Sequence, residues 1–133
     1  MTWLLGVRSA ERMPLTGCVV YRWGAAVPGR EGLALQVLER FLEWCEGLAK
    51  AGRIHEHTEW MSVTGAPGGM LVMSGPLDDL LALQAEDDAL RLRQEASLAV
   101  ADFDCQVYAG GSDASVQQVL RDWAQAADDL DLL

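Results

Sequence analysis

A chain of 133 residues with 50% hydrophobic, 23% charged and only 7% aromatic residues is the size of one domain. It is too apolar for disorder and has no apolar run long enough to span a membrane. Ten Lys and Arg against twenty Asp and Glu leave a formal charge of -10, so the average field repels phosphate backbones and anionic headgroups and argues against nucleic-acid or membrane-surface binding.

Residues 1–15 carry mixed charge and Pro14, with no basic stretch before Trp3-Leu4-Leu5 and no small-residue cleavage site close behind it. They read as an N-terminal extension without a secretory signal, followed by a single domain over 16–133. The three cysteines, Cys18, Cys45 and Cys105, are odd in number and lie in apolar segments without a CxxC pair. That usage fits reduced core thiols and a cytoplasmic location.

From Thr16 to Gly24 a run of β-branched and aromatic residues bounded by glycines predicts a largely buried first strand. After the Pro28-Gly29 turn, Ala34, Leu38, Phe41, Cys45 and Leu48 recur at spacings of four, three, four and three, the stripe of an amphipathic helix over 31–51 that Gly52 should stop. A polar second strand follows over 53–63, and the turn cluster Thr64 to Gly69 joins it as a hairpin to an apolar third strand over 70–74.

Pro76, Asp78 and Asp79 open a leucine-rich helix running to about Glu95, with a break near 86–88. A fourth strand is expected over 98–109. Ser112 or Asp113 then caps a last helix whose apolar positions are Val116, Val119, Leu120, Trp123 and Ala127. Trp23 and Trp123 read as core residues, and Trp44 and Trp60 as interface or pocket walls.

The order β-α-β-β-α-β with an extra C-terminal helix is the split βαβ pattern of an α+β, ferredoxin-like fold: a four-stranded antiparallel sheet with helices on one face. Its other face is too apolar to stay wet. Pairing with a second copy through that face predicts a homodimer, a dimeric α+β barrel with a cavity in or beside the interface.

The stretch Tyr21-x-Trp23-Gly24-x-x-Val27-Pro28-Gly29-Arg30-Glu31, with the long helix, Gly52-Arg53-Ile54 and the Gly68-Gly69 turn, resembles a family of small bacterial proteins of uncharacterised function within the dimeric α+β barrel superfamily. The likeness covers roughly residues 16 to 125. It implies the fold and a dimer, and neither an activity nor catalytic residues.

Candidate chemistry lies in three places. His55, His57 and Glu59 alternate on the second strand and so share one face, where they suit a divalent metal, a metal-free pocket or a plain edge strand. About 13 Å separates the first Cα from the last, so no metal is assigned. Arg22, Asp104, Gln106 and Tyr108 are polar residues on otherwise apolar strands; they either line a cavity or pair across the dimer contact. With Trp60, the residues expected to bind a small ligand are Arg22, His55, His57, Glu59, Trp60, Asp104 and Tyr108.

Gly24 to Arg30 imitates a phosphate loop in spacing, but Arg30 and Glu31 stand where lysine and a hydroxyl belong, so no nucleotide or other cofactor is assigned. The expected function is binding, and conversion if any, of a small organic molecule in the dimer cavity. The alternative is a non-catalytic oligomerisation or regulatory module.

Overall fold

The computed structural model describes residues 15–131. The extension expected over 1–15, Trp3 included, lies outside the described residues apart from Leu15. Strands β1 (Thr16–Trp23), β2 (Glu56–Met61), β3 (Gly69–Pro76) and β4 (Asp104–Ala109) form one antiparallel sheet in the order β2-β3-β1-β4. Helix α1 (Glu31–Lys50) crosses from β1 to β2, α2 (Leu77–Leu83) and α3 (Asp87–Ala99) return the chain from β3 to β4, and α4 (Asp113–Asp129) follows. The chain thus has an α+β, ferredoxin-like fold with a four-stranded antiparallel sheet.

The pairing register sorts every strand residue onto one of two faces. Tyr21 stands opposite Leu71 and Cys105, and Val19 opposite Met73 and Val107; His57 and Glu59 join this odd-numbered face through Met73 and Leu71. Helices α1, α2 and α3 cover it, and Val19, Tyr21, Leu71 and Met73 are at most 1% exposed. The even-numbered face carries Cys18, Val20, Arg22, Met70, Val72, Trp60, Asp104 and Tyr108.

Helix α1 starts with Glu31 and ends with Lys50, each suited to the dipole of its terminus. Gly52, at φ +73, lets the chain turn out. Its N–H donates to the Ala49 carbonyl (3.0 Å) and that of Arg53 to the Leu48 carbonyl (2.9 Å), the double closure of a left-handed helix stop. The break near 86–88 is present as the turn between α2 and α3. Ser112 caps α4 by accepting from the Ser115 N–H at 3.2 Å.

Three expectations are corrected. The second strand spans Glu56–Met61 rather than 53–63. The fourth begins at Asp104 because α3 continues to Ala99 and residues 99–101 bond to the loop after β1: Gly24 N–H to the Ala101 carbonyl at 2.8 Å and Val27 N–H to the Ala99 carbonyl at 2.9 Å. Trp123 is 68% exposed, not core, because α4 leaves the sheet edge after β4 with only Ser115 buried. Its apolar periodicity is real, but the sheet does not cover that stripe.

Candidate functional site

The small side chains on the covered face decide where space remains. At the end of β1 the chain meets Gly24 and Ala26, while α1 and α3 present Ala34 and Ala96 to the same region. A cavity of about 390 Å³ lies there, between the sheet and the helices. Its size falls in the range of small-molecule sites, roughly 300 to 1,000 Å³.

Aromatic rings dominate the wall: Tyr21, Trp23, Phe41 and Phe103. Tyr21 meets Phe41 edge-on at 5.1 Å between centroids and stacks on Phe103 at 6.4 Å. Leu71, Val37 and Val100 complete much of the remainder. Gly24 is needed for a close approach, since a Cβ there would stand 3.1 Å from the Ala101 carbonyl oxygen, crowding the hydrogen-bonded rim.

Polar groups at the cavity are few. The Tyr21 hydroxyl donates to Gln84 Oε1 at 3.1 Å, an oxygen that also accepts from Arg93 Nη1 at 2.6 Å and, more distantly, from the Cys105 thiol at 3.7 Å. Burial pushes the Tyr21 phenol far above its ordinary value, with the Gln84 hydrogen bond and the Arg93 charge pulling weakly the other way. Tyr21 therefore stays neutral and its proton is committed to Gln84. Burial likewise raises the Cys105 thiol, against the lowering effect of Arg93.

Glu31 is the sole carboxylate on the wall, and no lysine, arginine or histidine is among the residues lining it. The Gly29 N–H donates to Glu31 Oε1 at 3.2 Å. Among the described residues Glu31 has no ion-pair partner: the neighbouring Arg30 instead donates through Nη1 to the Leu98 carbonyl at 2.7 Å, closing the end of α3. One end of the Arg30 guanidinium is thereby tied to the end of α3.

None of the seven residues singled out from sequence lines this cavity, and the structure divides them. Arg22, Trp60, Asp104 and Tyr108 share the even-numbered face, the one that α1, α2 and α3 do not cover, where Arg22 and Asp104 are cross-strand neighbours 4.0 Å apart and both about half exposed. Trp60 Nε1 donates to Thr58 Oγ1 (3.1 Å) and the Tyr108 hydroxyl to Gln106 Oε1 (3.2 Å).

His57 and Glu59 point to the opposite, helix-covered face, partly buried and hydrogen-bonded to each other. Glu59 acts there on the α1 thiol Cys45, which burial first and Glu59 second push up to about 12. His55 precedes the strand, exposed, its N–H donating to the Ser74 carbonyl at 2.7 Å. Among the described residues no group of three His, Cys, Asp or Glu is placed to hold a metal ion.

Trp23, Gly24, Ala26 and Glu31, within the stretch that carries the family likeness, all stand on the cavity wall although no local pattern marks them as site residues. The signal was a small-residue loop between a strand and a helix. It was read as a turn, because nothing in one sequence says that the loop bonds back to residues 99–101.

No protein-family model and no curated protein matches the chain by sequence. Solved structures match it as a ferredoxin-like α+β fold. Among them is hydroxynitrile lyase from Passiflora edulis, 10% identical at a TM-score of 0.58, the match covering 75% of this chain and 97% of that one. SnoaB, a cofactor-independent oxygenase from Streptomyces nogalater, in a mutant form, is 10% identical at a TM-score of 0.55 over 73% and 94% of the two chains. A dimeric ferredoxin-like protein of unknown function from Bacteroides fragilis is 14% identical at a TM-score of 0.50, over 69% and 94%. At these identities the likeness is one of fold.

Proposed function

We propose that the protein is a homodimer, each protomer of which binds one small, mainly apolar organic molecule in the cavity between its sheet and helices. The observation that carries this reading is the aromatic wall of a 390 Å³ chamber. A fully packed core would fill such space, and leaving it open forfeits dispersion contacts. This reading puts the ligand under the helices rather than on the other sheet face and gives the residues expected there other parts.

In this reading Arg22, Trp60, Asp104 and Tyr108 belong to the contact with the second copy, and His57 and Glu59 pair with each other on the helix-covered side of the edge strand. The even-numbered face supports the dimer: Trp60 is 58% exposed beside Met70, and Tyr108 39% exposed beside Cys18, apolar surface that a partner would cover. Some structures of this fold are described as dimeric, which agrees with it. Residues 16–133 then act as one domain, in the cytoplasm, where the three free cysteines stay reduced.

Binding is favoured over conversion. The phenol of Tyr21 is held neutral and engaged, and Glu31 alone offers a proton-transfer group. Isothermal titration with 1-naphthalenemethanol, a neutral two-ring probe, tests the reading: saturable binding is expected, and Ala34→Phe, which fills the cavity from a partly exposed wall position, abolishes it. Absence of binding, or binding that survives Ala34→Phe, would refute it. No helix among the described residues is long and apolar enough to cross a membrane.

A further inference from the structure

We infer that the molecule held in this cavity is an amine: an ammonium group at Glu31 with an apolar, ring-bearing body against Tyr21, Trp23, Phe41 and Phe103. The inference rests on the cavity-binding reading above and adds the charge and chemical class of the ligand. Three features of the molecule point the same way.

First, the wall carries one carboxylate and no basic side chain. Among the described residues Glu31 has no ion-pair partner, and one of its oxygens is left for a ligand once Oε1 has accepted from Gly29. Arg30, the nearest cation in sequence, is drawn away to the Leu98 carbonyl. Glu31 is exposed at the mouth of the cavity, where its carboxylate repels an anionic ligand and attracts a cationic one that seats its apolar body inside.

Second, four aromatic rings form the wall. Their faces carry negative electrostatic potential and attract ammonium groups, an attraction that strengthens as the cation leaves water. An apolar chamber lined with leucine alone would hold the body of a ligand equally well and show no preference for charge.

Third, the chain as a whole bears a formal charge of -10, so the field outside the cavity raises the local concentration of cations and lowers that of anions. Size agrees as well. A cavity of about 150 Å³ accommodates benzene, so 390 Å³ has room for a fused two-ring body together with a short aminoalkyl arm.

The test compares three probes of nearly equal shape on the full chain: 1-naphthylmethylamine, 1-naphthalenemethanol and 1-naphthoate, each by isothermal titration at low and high salt. The amine should bind about tenfold or more tighter than the alcohol, with an advantage that shrinks as salt rises, and the carboxylate should not bind.

In Glu31→Gln the ratio of amine to alcohol affinity falls to the small remainder that the rings alone supply, whereas Glu31→Asp, which keeps the charge, retains most of the preference for the amine. An alcohol that binds as well as the amine to the wild-type protein overturns the inference while leaving the cavity-binding reading intact. If neither compound binds, both fall. An amine preference undiminished in Glu31→Gln also overturns the assignment, since the cation would then be held elsewhere.

Discussion

The two faces of the sheet are built from the same four strands, yet they solve opposite problems. On the odd-numbered face Val19, Tyr21, Leu71 and Met73 are buried under α1, α2 and α3, and the packing gives way to a cavity where glycine and alanine stand among the lining residues. On the even-numbered face the centre is apolar, with Val20, Met70 and Val72, and its margins carry Trp60, Tyr108 and the Arg22–Asp104 pair. The covered face is packed against the protomer's own helices and keeps a cavity that opens to solvent beside Leu35 and Met61, which are 64% and 52% exposed. The uncovered face is a flat surface whose polar groups are satisfied locally, along or across strands. A chamber suits a small molecule; a flat apolar surface with a polar margin suits another protein.

Adjacent residues of β3 offer the sharpest way to break this comparison. Leu71 faces the core and Val72 the uncovered side. Leu71→Asp should unfold the protomer, because an unpaired carboxylate in that core costs more than about 4 kcal/mol, visible as loss of the cooperative transition in urea. Val72→Asp should leave the protomer folded and convert the dimer to a monomer by sedimentation at micromolar concentration. A wild-type protein that is already a monomer there would remove the dimer proposal.

The next effect is on alkaline stability. The folded Cys45 thiol is pushed up to about 12 from an ordinary value of 9.0, and burial raises the Tyr21 phenol above its ordinary value of 10.0. Both raised groups contribute stability that is complete below the unfolded value and declines as pH climbs toward the folded one. Urea titrations should show a loss of up to about 1.4 kcal/mol per pH unit between pH 9 and 12 from Cys45, steeper above 10 as Tyr21 joins. Cys45→Ala should lessen that slope, and Cys18→Ala, on the uncovered face, should lessen it less. A flat profile would mean that the covered face admits water at Cys45.

The smallest effect belongs to the uncovered face. Arg22 and Asp104 are about half exposed at 4.0 Å, so Asp104→Asn should change protomer stability by no more than about 0.5 kcal/mol, measured on the Val72→Asp monomer. A larger loss would show that the pair does more than decorate the margin.

Much of this was legible in the residues. Apolar spacing through Phe41, Cys45 and Leu48, the Gly52 stop, the turn cluster before Gly69 and the Ser112 cap fixed element order, and order selected the split βαβ arrangement. The expected site was less legible. Alternation correctly put His57 and Glu59 on one face of β2 and Arg22 with its even-numbered neighbours on one face of β1, but it could not say which faces align across the sheet. His57 and Glu59 consequently stand on the opposite side from Arg22 and Trp60. The apolar stripe of α4 was legible too, though not that Trp123 on it stays exposed.

Local sequence therefore determined the elements, because period, turn chemistry and capping act over a few residues and leave their mark in composition. Tertiary structure alone decided the site. The chamber exists because Gly24 and Ala26, beside the end of β1, come against Ala34 of α1 and Ala96 of α3, positions far apart in sequence whose small side chains leave a cavity only when packing sets them side by side.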